Sequence, residues 1–256
     1  MPLNTTKREQ QLQLAQDLAA KLKIERGFKI DLRRFFKDMN REFKSTYIST
    51  SRIINVRNFD AELVGILRKH YRKAIKRFGS TLQKNIKALS DEITAEQLEF
   101  MRRDTDAHAE IILGTVASQY DKIVASAFEG AEVAEQLSSE AIGTTAAAAF
   151  SSLIPSKSDL IAEIETQNAA EGSKDIELES LVLAGVLSAA LTEKQWLVRF
   201  TEGTRDWHAA VDGQRRKVGE LYDVNNQKLS RPGDMTHGAT MDNIARCNCS
   251  SITIIN

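Results

Sequence analysis

Apolar residues recur every three or four positions through most of the first 191 residues, and this period restricts that region to helices. Side chains with this spacing lie on the same side of a helix, so each periodic stretch predicts one buried face. A second stretch begins at Phe59 and continues as far as Leu82 and Ile86. The sequence therefore predicts a helical array or bundle over residues 1–191. The clearest single face comprises Phe28, Leu32, Phe35, Phe36, Met39, Phe43 and Tyr47.

Local signals divide this helical region into segments. Residues 94–97, Thr-Ala-Glu-Gln, have the form of a capping box, in which two side chains satisfy backbone N–H groups at a helix start. A long helix should begin there. The predicted interruptions are Gly27, the polar segment 45–58, Pro155 at the end of a short alanine-rich helix, and a loop at 169–174 between helices at 158–168 and 175–191.

The character of the sequence changes at residue 192. Residues 192–195 again have the capping-box form and predict another helix start. Asp212-Gly213 and Asn225-Asn226 are pairs that tolerate positive φ, as hairpin turns require, and residues 247–255 alternate as a strand does. The sequence therefore predicts a boundary near residue 191 and a small α+β domain over residues 192–256. The expected fold class is mainly α, with this α+β domain at the C-terminus.

The chain has no formal net charge, but its charges are segregated. Residues 1–103 contain 23 Lys and Arg against 12 Asp and Glu, residues 104–200 contain 5 against 16, and residues 201–256 contain 7 against 7. The helical domain is thus basic over 1–103 and acidic over 104–191. The basic part suits DNA, because lysine and arginine neutralise phosphates without reading sequence, although solvated helix faces have the same composition. The predicted DNA-contacting residues are Arg33, Arg34, Arg68, Lys69, Arg72, Lys73, Lys76 and Arg77.

Two sequence properties limit where the protein works. The N-terminus is polar where a secretory signal needs an apolar run, and the most apolar segment, residues 181–191, is much shorter than the roughly 20 residues that cross a bilayer. The two cysteines, Cys247 and Cys249, are separated by one residue and do not make a disulfide framework. We therefore expect a soluble protein without a membrane anchor, whose thiols are free or metal-bound in a reducing compartment.

The residues with the most suggestive chemistry lie near the C-terminus. On a strand, Cys247 and Cys249 would lie on one face. His208 precedes Asp212 by four residues, a spacing that makes neighbours on a helix, and His237 is within reach of the same loop. Because histidine and cysteine are zinc ligands, His208, Cys247 and Cys249 could hold zinc, the one cofactor that the sequence suggests. The alternative is a hydrogen-bonded polar core in which Asp212 caps a turn and orients His208.

The sequence lacks residues that the nearest enzyme chemistries need. A zinc deaminase has a glutamate two residues after its histidine and two residues between its cysteines, but position 210 here is alanine. A thiol nucleophile paired with His208 would need an activated cysteine and an oxyanion site, and no glycine-rich turn precedes either cysteine. We therefore expect no catalytic residues and a non-enzymatic protein.

The order of several residues in this region resembles the C-terminal domain of phage head morphogenesis proteins, the Mu F-like minor head protein family. That family has a tryptophan, an Arg-x-x-His step, an Asp-Gly pair, a Pro-x-Asp turn and two closing cysteines before a final strand. The resemblance implies that the matching residues form a structural motif. They are Trp196, Arg205, His208, Asp212, Gly213, Pro232, Asp234, Cys247 and Cys249.

This resemblance implies a minor structural protein of a tailed-phage head, which assembles at or near the portal vertex and contacts DNA during head morphogenesis, packaging or ejection. The implied partners are the portal protein or the major capsid protein, and the phage double-stranded DNA, with multiple copies in each particle. The implied location is the virion head, after assembly in the host cytoplasm. The rival hypothesis is a zinc-dependent nucleic-acid-processing or toxin-like enzyme, because related domains occur fused to effector modules.

Overall fold

A computed structural model describes residues 7–79, 93–129 and 138–256 and confirms a mainly α fold with a small C-terminal α+β part. Within these ranges, no helix combines the length and the apolar character that a membrane span needs. The long helices are α1 (Lys7–Thr50), α2 (Asp60–Phe78, after a 3-10 turn at Val56–Phe59), α3 (Ala95–Glu129) and α4 (Ser139–Leu183). The C-terminal elements are β1 (Thr192–Leu197), α5 (Asp206–Ala209), β2 (Arg215–Lys217), β3 (Tyr222–Val224), β4 (Gln227–Leu229), α6 (Met241–Ile244) and β5 (Ser250–Ile255).

Helix α1 continues through the first position where the sequence predicted an interruption. Gly27 lies inside it, and the helix ends only at Thr50, within the polar segment 45–58. A glycine inside a helix costs only about 1 kcal/mol relative to alanine. The predicted apolar face that follows is buried and outweighs this cost; its residues are Phe28, Leu32, Phe35, Phe36, Met39, Phe43 and Tyr47. The predicted break at Gly27 is therefore wrong.

Helix α4 is also continuous, although the sequence predicted three separate helices there. Pro155 lies inside α4, where a proline removes one helical hydrogen bond and costs about 3 kcal/mol or more. Phe150 and Ile154 before it and Ala162 after it are buried in one core, which keeps the helix intact. The predicted loop at 169–174 is helical as well, so both predicted interruptions of α4 are wrong.

A close contact explains why a glycine lies within this segment. Gly172 lies on α4 against the ring of Phe100, and a Cβ at this position would lie 2.3 Å from the Phe100 Cζ atom. Real Cβ atoms do not approach another atom so closely. Gly172 therefore provides room for a ring within a helix and does not mark a turn.

The predicted start of α3 is confirmed. The backbone N–H of Gln97 donates to Thr94 Oγ1 over 3.3 Å, and the N–H of Thr94 donates to Gln97 Oε1 over 3.1 Å. These two bonds are the reciprocal pair of a capping box. The second predicted stretch of apolar residues forms α2 as far as Phe78, and its last positions, Leu82 and Ile86, lie outside the described residues.

Residues 192–195 begin strand β1 and do not start a helix, which corrects the second capping-box prediction. β1 pairs antiparallel with β2 on one side and with β5 on the other, in the order β2-β1-β5. The side chains of Thr192, Lys194 and Trp196 are buried, as alternation along a strand requires. Pairing with two strands therefore overrides the local capping pattern.

The second sheet is the predicted hairpin. β3 and β4 pair antiparallel, with Val224 opposite Gln227. The two residues between them, Asn225 and Asn226, have φ values of 52° and 59°. A two-residue hairpin turn of this type requires positive φ at both positions, and asparagine adopts that conformation more readily than most residues. The hairpin prediction is confirmed for Asn225-Asn226. It is wrong for Asp212-Gly213, which lies in the long connection between Leu197 and Arg215 that also contains α5.

The chain divides into two compact units that do not follow the order of the sequence. The described residues within 27–69 and 102–162 form one, which we call the helical unit. The described residues within 1–26, 70–101 and 163–256 form the other, which we call the mixed unit. The change from helix to strand near residue 191 therefore lies inside the mixed unit, where the strands share one unit with the last part of α4.

The helical unit has an aromatic core in which a tyrosine hydroxyl is hydrogen-bonded. The ring of Tyr120 stacks on Phe43 and on Phe150, with centroid distances of 4.3 Å in both pairs. Asn40 accepts from the Tyr120 hydroxyl and donates to the carbonyl of Ala147. Asn40 thus provides a hydrogen-bond partner for the Tyr120 hydroxyl, which is buried because the ring is stacked inside this core.

In the mixed unit, one buried carboxylate joins three elements. Glu171 on α4 is fully buried, and it accepts from Lys21 on α1 at 2.7 Å, from Ser250 Oγ at 2.8 Å and from the N–H of Ser251 at 2.9 Å. A second lysine, Lys174, lies 3.0 Å from the same carboxylate. Burial acts to raise the pKa of Glu171, but the two lysines outweigh it and hold this pKa well below its ordinary value. Glu171 therefore stays ionised and fastens β5 to two helices.

We expect Glu171→Gln to lower the free energy of unfolding by about 3–5 kcal/mol near neutral pH, the usual effect of removing one partner of a buried ion pair. Because the folded-state pKa of Glu171 lies below the ordinary value of 4.5, the wild-type advantage should be full above pH 4.5 and should decline as the pH falls toward the folded-state pKa. This difference in the free energy of unfolding can be measured by urea unfolding with tryptophan fluorescence as the signal, because Trp196 and Trp207 both lie in the mixed unit.

The matched control for this experiment is Glu110→Gln. Glu110 pairs with Arg57 at the surface, and an exposed ion pair contributes at most about 1 kcal/mol. Equal stability of the two variants would contradict the role assigned to Glu171. An advantage of wild type that stays constant from neutral to acid pH would contradict it as well.

Candidate functional site

Part of the motif surrounds a small core inside the mixed unit. Trp196 on β1 is fully buried, with the ring of Tyr222 at 5.1 Å and the ring of His208 at 6.0 Å, both edge-on. Cys247 and Cys249 belong to the same core. Four motif residues that are far apart in the sequence are thus brought together in one place.

Within this core, His208 and the two cysteines form a compact group that we call the His-Cys-Cys triad. His208 lies on α5, and its Nδ1 atom is 3.4 Å from the Sγ of Cys249 and 3.8 Å from the Sγ of Cys247. All three side chains are buried, and their ligand atoms lie within 4.8 Å of one another. The other ring nitrogen of His208, Nε2, is buried and has no hydrogen-bond partner among the described residues.

A hydrogen bond joins the two thiols of the triad. A hydrogen bond from Cys249 holds the pKa of the Cys247 thiol well below its ordinary value, and His208 acts in the same direction. The same hydrogen bond, together with burial, raises the pKa of the Cys249 thiol. The two thiols are thus shifted in opposite directions, and His208 favours the charged form of Cys247.

Two side chains that were predicted to lie beside the triad, Asp212 and His237, contact other residues instead. The carboxylate of Asp212 accepts from the backbone N–H of Val198 at 2.8 Å, so it holds the chain after β1 and does not orient His208. His237 Nδ1 lies 2.6 Å from the carboxylate of Asp234. Of the described residues, only the members of the triad form a group with metal-ligand spacing.

The cysteines precede the last strand and do not lie in it, because β5 begins at Ser250. Their burial nevertheless alternates as predicted, since Cys247 and Cys249 are buried and Asn248 is exposed. The side-chain amide of Gln167 on α4 donates to the carbonyl of Cys249 at 2.8 Å. A helix side chain, rather than strand pairing, therefore holds the cysteine segment in place.

The Pro-x-Asp part of the motif is a structural turn. The carboxylate of Asp234 is buried and accepts from the N–H groups of Ser230 at 2.7 Å and Thr236 at 2.8 Å. Burial acts to raise the pKa of Asp234, but Arg231 and these donors hold it well below its ordinary value. Gly233 has a φ of 78°, and a Cβ there would lie 2.8 Å from a side-chain carbon of α4. This turn therefore packs directly against the helix.

The remaining motif residues also fix the backbone. The guanidinium of Arg205 donates to the carbonyl of Ala245, close to the cysteine segment in sequence. Gly213 has a φ of 78°, and its N–H donates to the carbonyl of Trp196 at 2.8 Å. Pro232 is buried. These motif residues thus determine the path of the chain around the core.

Sequence reasoning missed the buried polar residues that connect the motif to its surroundings. Asn243 on α6 accepts from the indole N–H of Trp207 at 2.8 Å and donates to the carbonyl of Val224 at 3.2 Å. Lys194 on β1 lies 3.3 Å from the carboxylate of Asp175 on α4. Asparagine and lysine are mostly exposed in proteins, so no local pattern distinguishes these buried examples.

The predicted DNA-contacting residues divide into two groups. Three are paired with carboxylates inside the helical unit: Arg33 with Asp159, Arg68 with Asp106, and Lys69 with Asp31. The others are exposed and form no ion pair with a described residue: Arg34, Arg72, Lys73, Lys76 and Arg77. The last four lie on α2, and we call them the α2 basic stripe.

No protein-family model, curated protein or solved structure matches this chain. The arrangement itself offers two kinds of chemistry. The His-Cys-Cys triad is a set of soft ligands in a closed core, and the α2 basic stripe is an exposed row of positive charge.

Proposed function

We propose that this chain is a minor structural protein of a tailed-phage head, which assembles at or near the portal vertex and contacts DNA during morphogenesis, packaging or ejection. The observation that carries the proposal is the structural use of the motif that resembles the Mu F-like minor head proteins. Trp196, His208, Cys247 and Cys249 fill a core, and Asp234 holds a turn. The motif residues thus stabilise the fold, which is what we expect of a protein that functions by assembling into a particle.

The α2 basic stripe supports the proposed DNA contact. Its members follow one another at positions 72, 73, 76 and 77, a spacing that places them along one side of a helix. Exposed lysine and arginine in such a row neutralise phosphates whatever the base sequence. Arg33, Arg68 and Lys69 are left out of the proposed DNA surface, because nearby carboxylates already neutralise them.

The proposal assigns the protein to the virion head, in multiple copies, after assembly in the host cytoplasm. Its protein partner would be the portal protein or the major capsid protein. The excess of carboxylates after residue 104 suits contact with a basic protein surface, because complementary charge favours correct pairing. DNA and protein would thus be bound by different parts of the chain.

The rival function is a zinc-dependent nucleic-acid-processing or toxin-like enzyme. The His-Cys-Cys triad favours it, because a metal with three protein ligands keeps a position for a reactive water. A metal that hydrolyses a nucleic acid also has to reach its substrate. The triad is buried beside Trp196 in an aromatic core, and this burial favours the structural role.

Quantitative mass spectrometry of purified, DNA-filled particles tests the proposed function. We expect the chain at a fixed ratio to the portal protein, because a protein bound at the portal vertex is incorporated with the symmetry of that vertex. Deletion of residues 192–256 should yield particles without the protein. Absence of the full chain from particles, while it is abundant in the lysate, would contradict the proposal and favour the enzyme.

Replacing Arg72, Lys73, Lys76 and Arg77 with glutamine should weaken binding to double-stranded DNA. Each lost phosphate contact reduces the slope of log K against log salt concentration by about 0.9, so the full change should reduce it by up to about 4. Fluorescence anisotropy on two duplexes of unrelated sequence measures both the slope and the absence of base preference.

A control variant with the same loss of charge separates the stripe from general electrostatics. It replaces with glutamine four basic residues that are already paired with carboxylates: Arg41, Arg57, Lys217 and Lys228. This variant should retain most of the wild-type slope. Equal losses in the two variants would show that the α2 basic stripe is not the DNA surface.

A further inference from the structure

The atoms of the His-Cys-Cys triad are spaced as ligands around one metal ion. In tetrahedral zinc sites, with Zn–S bonds of about 2.3 Å and Zn–N bonds of about 2.0 Å, sulfur and nitrogen ligands lie about 3.5 Å apart. The Nδ1 atom of His208 lies 3.4 Å from one cysteine sulfur and 3.8 Å from the other. We propose that His208, Cys247 and Cys249 bind a Zn²⁺ ion through Nδ1 and two thiolates.

Hydrogen bonds to His208 explain the positions of the two cysteine sulfur atoms less well than a metal ion does. The Nδ1 atom of a neutral imidazole carries either one proton or one lone pair, so it makes one good hydrogen bond. Both sulfur atoms of the triad nevertheless face Nδ1 of His208. A cation at the centre of the triad would contact all three atoms at once, whereas without a metal one thiol bonds to His208 and the other bonds to the first thiol.

The charges of such a complex balance inside an apolar core. Two thiolates and a neutral imidazole contribute two negative charges, which one Zn²⁺ ion cancels. Two thiolates without a cation would be buried like charges, which are strongly unfavourable in a core that includes Val211, Tyr222 and Val224.

Three protein ligands leave the fourth position of zinc to a water molecule. No fourth His, Cys, Asp or Glu joins the triad within the described ranges. Three protein ligands and one water are the set of catalytic zinc sites, whereas structural sites usually have four protein ligands. The burial of the triad beside Trp196 is what favours a metal that stabilises the core. The inference goes beyond the proposed function, because the metal would stabilise the motif core whether or not the protein is found in particles.

The test uses the full chain, expressed without a histidine tag and purified under reducing conditions. Elemental analysis should find close to one zinc per chain. After a chelator has removed the metal, added Co²⁺ should produce thiolate-to-cobalt charge-transfer absorption, and Zn²⁺ should then abolish it, since zinc binds such sites more tightly than cobalt. Zinc should also raise the Tm of the stripped protein, because a ligand that binds only the folded state stabilises it.

Three variants locate the binding site. Loss of an outer partner of a metal ligand already weakens metal binding by about 10–100-fold, so His208→Ala and Cys249→Ser should weaken Zn²⁺ binding at least as much. His237→Ala is the matched control, because His237 contacts Asp234 and lies outside the triad. It should bind Zn²⁺ like wild type.

The folded wild-type chain is decisive even if a triad variant does not fold. No retained zinc together with no cobalt charge-transfer band would overturn the proposal. An intact mass that shows Cys247 and Cys249 joined in a disulfide in the reduced preparation would overturn it too. Equal zinc affinity in wild type and in folded His208→Ala would move the site away from the triad and contradict the assignment.

Discussion

A fully buried carboxylate has to be surrounded by donors, and in this protein that requirement connects the two ends of the chain. Removing an ion from water costs several kcal/mol even after the protein relaxes. For Glu171 this cost is offset by contacts with Lys21, Lys174 and the first residues of β5. The last strand, the first helix and α4 must therefore be in place together for the carboxylate to be satisfied.

The site depends on the same helix. Gln167 precedes Glu171 by one helical turn, so both side chains project from one face of α4. The amide of Gln167 holds the carbonyl of Cys249, while Glu171 holds the start of β5 two residues later. One helix face thus positions the cysteine segment, and with it the sulfur atoms that face His208. The motif core is a joint product of the C-terminal residues and of α4.

Sequence reasoning succeeded where the determining contacts are local. The capping box at Thr94 and the two-asparagine hairpin involve neighbours within four residues, and both are confirmed. It failed where distant packing decides the local conformation. Pro155 lies between residues buried in one core, and the segment 169–174 includes Ala169 and Ala170, which are buried in another. For the site, alternation correctly placed both cysteine side chains inside. The partners of Asp212 were not predictable, because they depend on how the chain turns back after β1.

The dependence of the motif core on the helices is tested most directly by expressing residues 192–256 alone. This segment retains the His-Cys-Cys triad but lacks Gln167 and Glu171, which fasten it. Its amide NMR spectrum should be poorly dispersed and its tryptophans should give no near-ultraviolet circular dichroism, with or without added Zn²⁺, whereas the full chain should show both signals. A well-dispersed spectrum from the isolated segment would contradict this dependence, because the motif would then fold without α4.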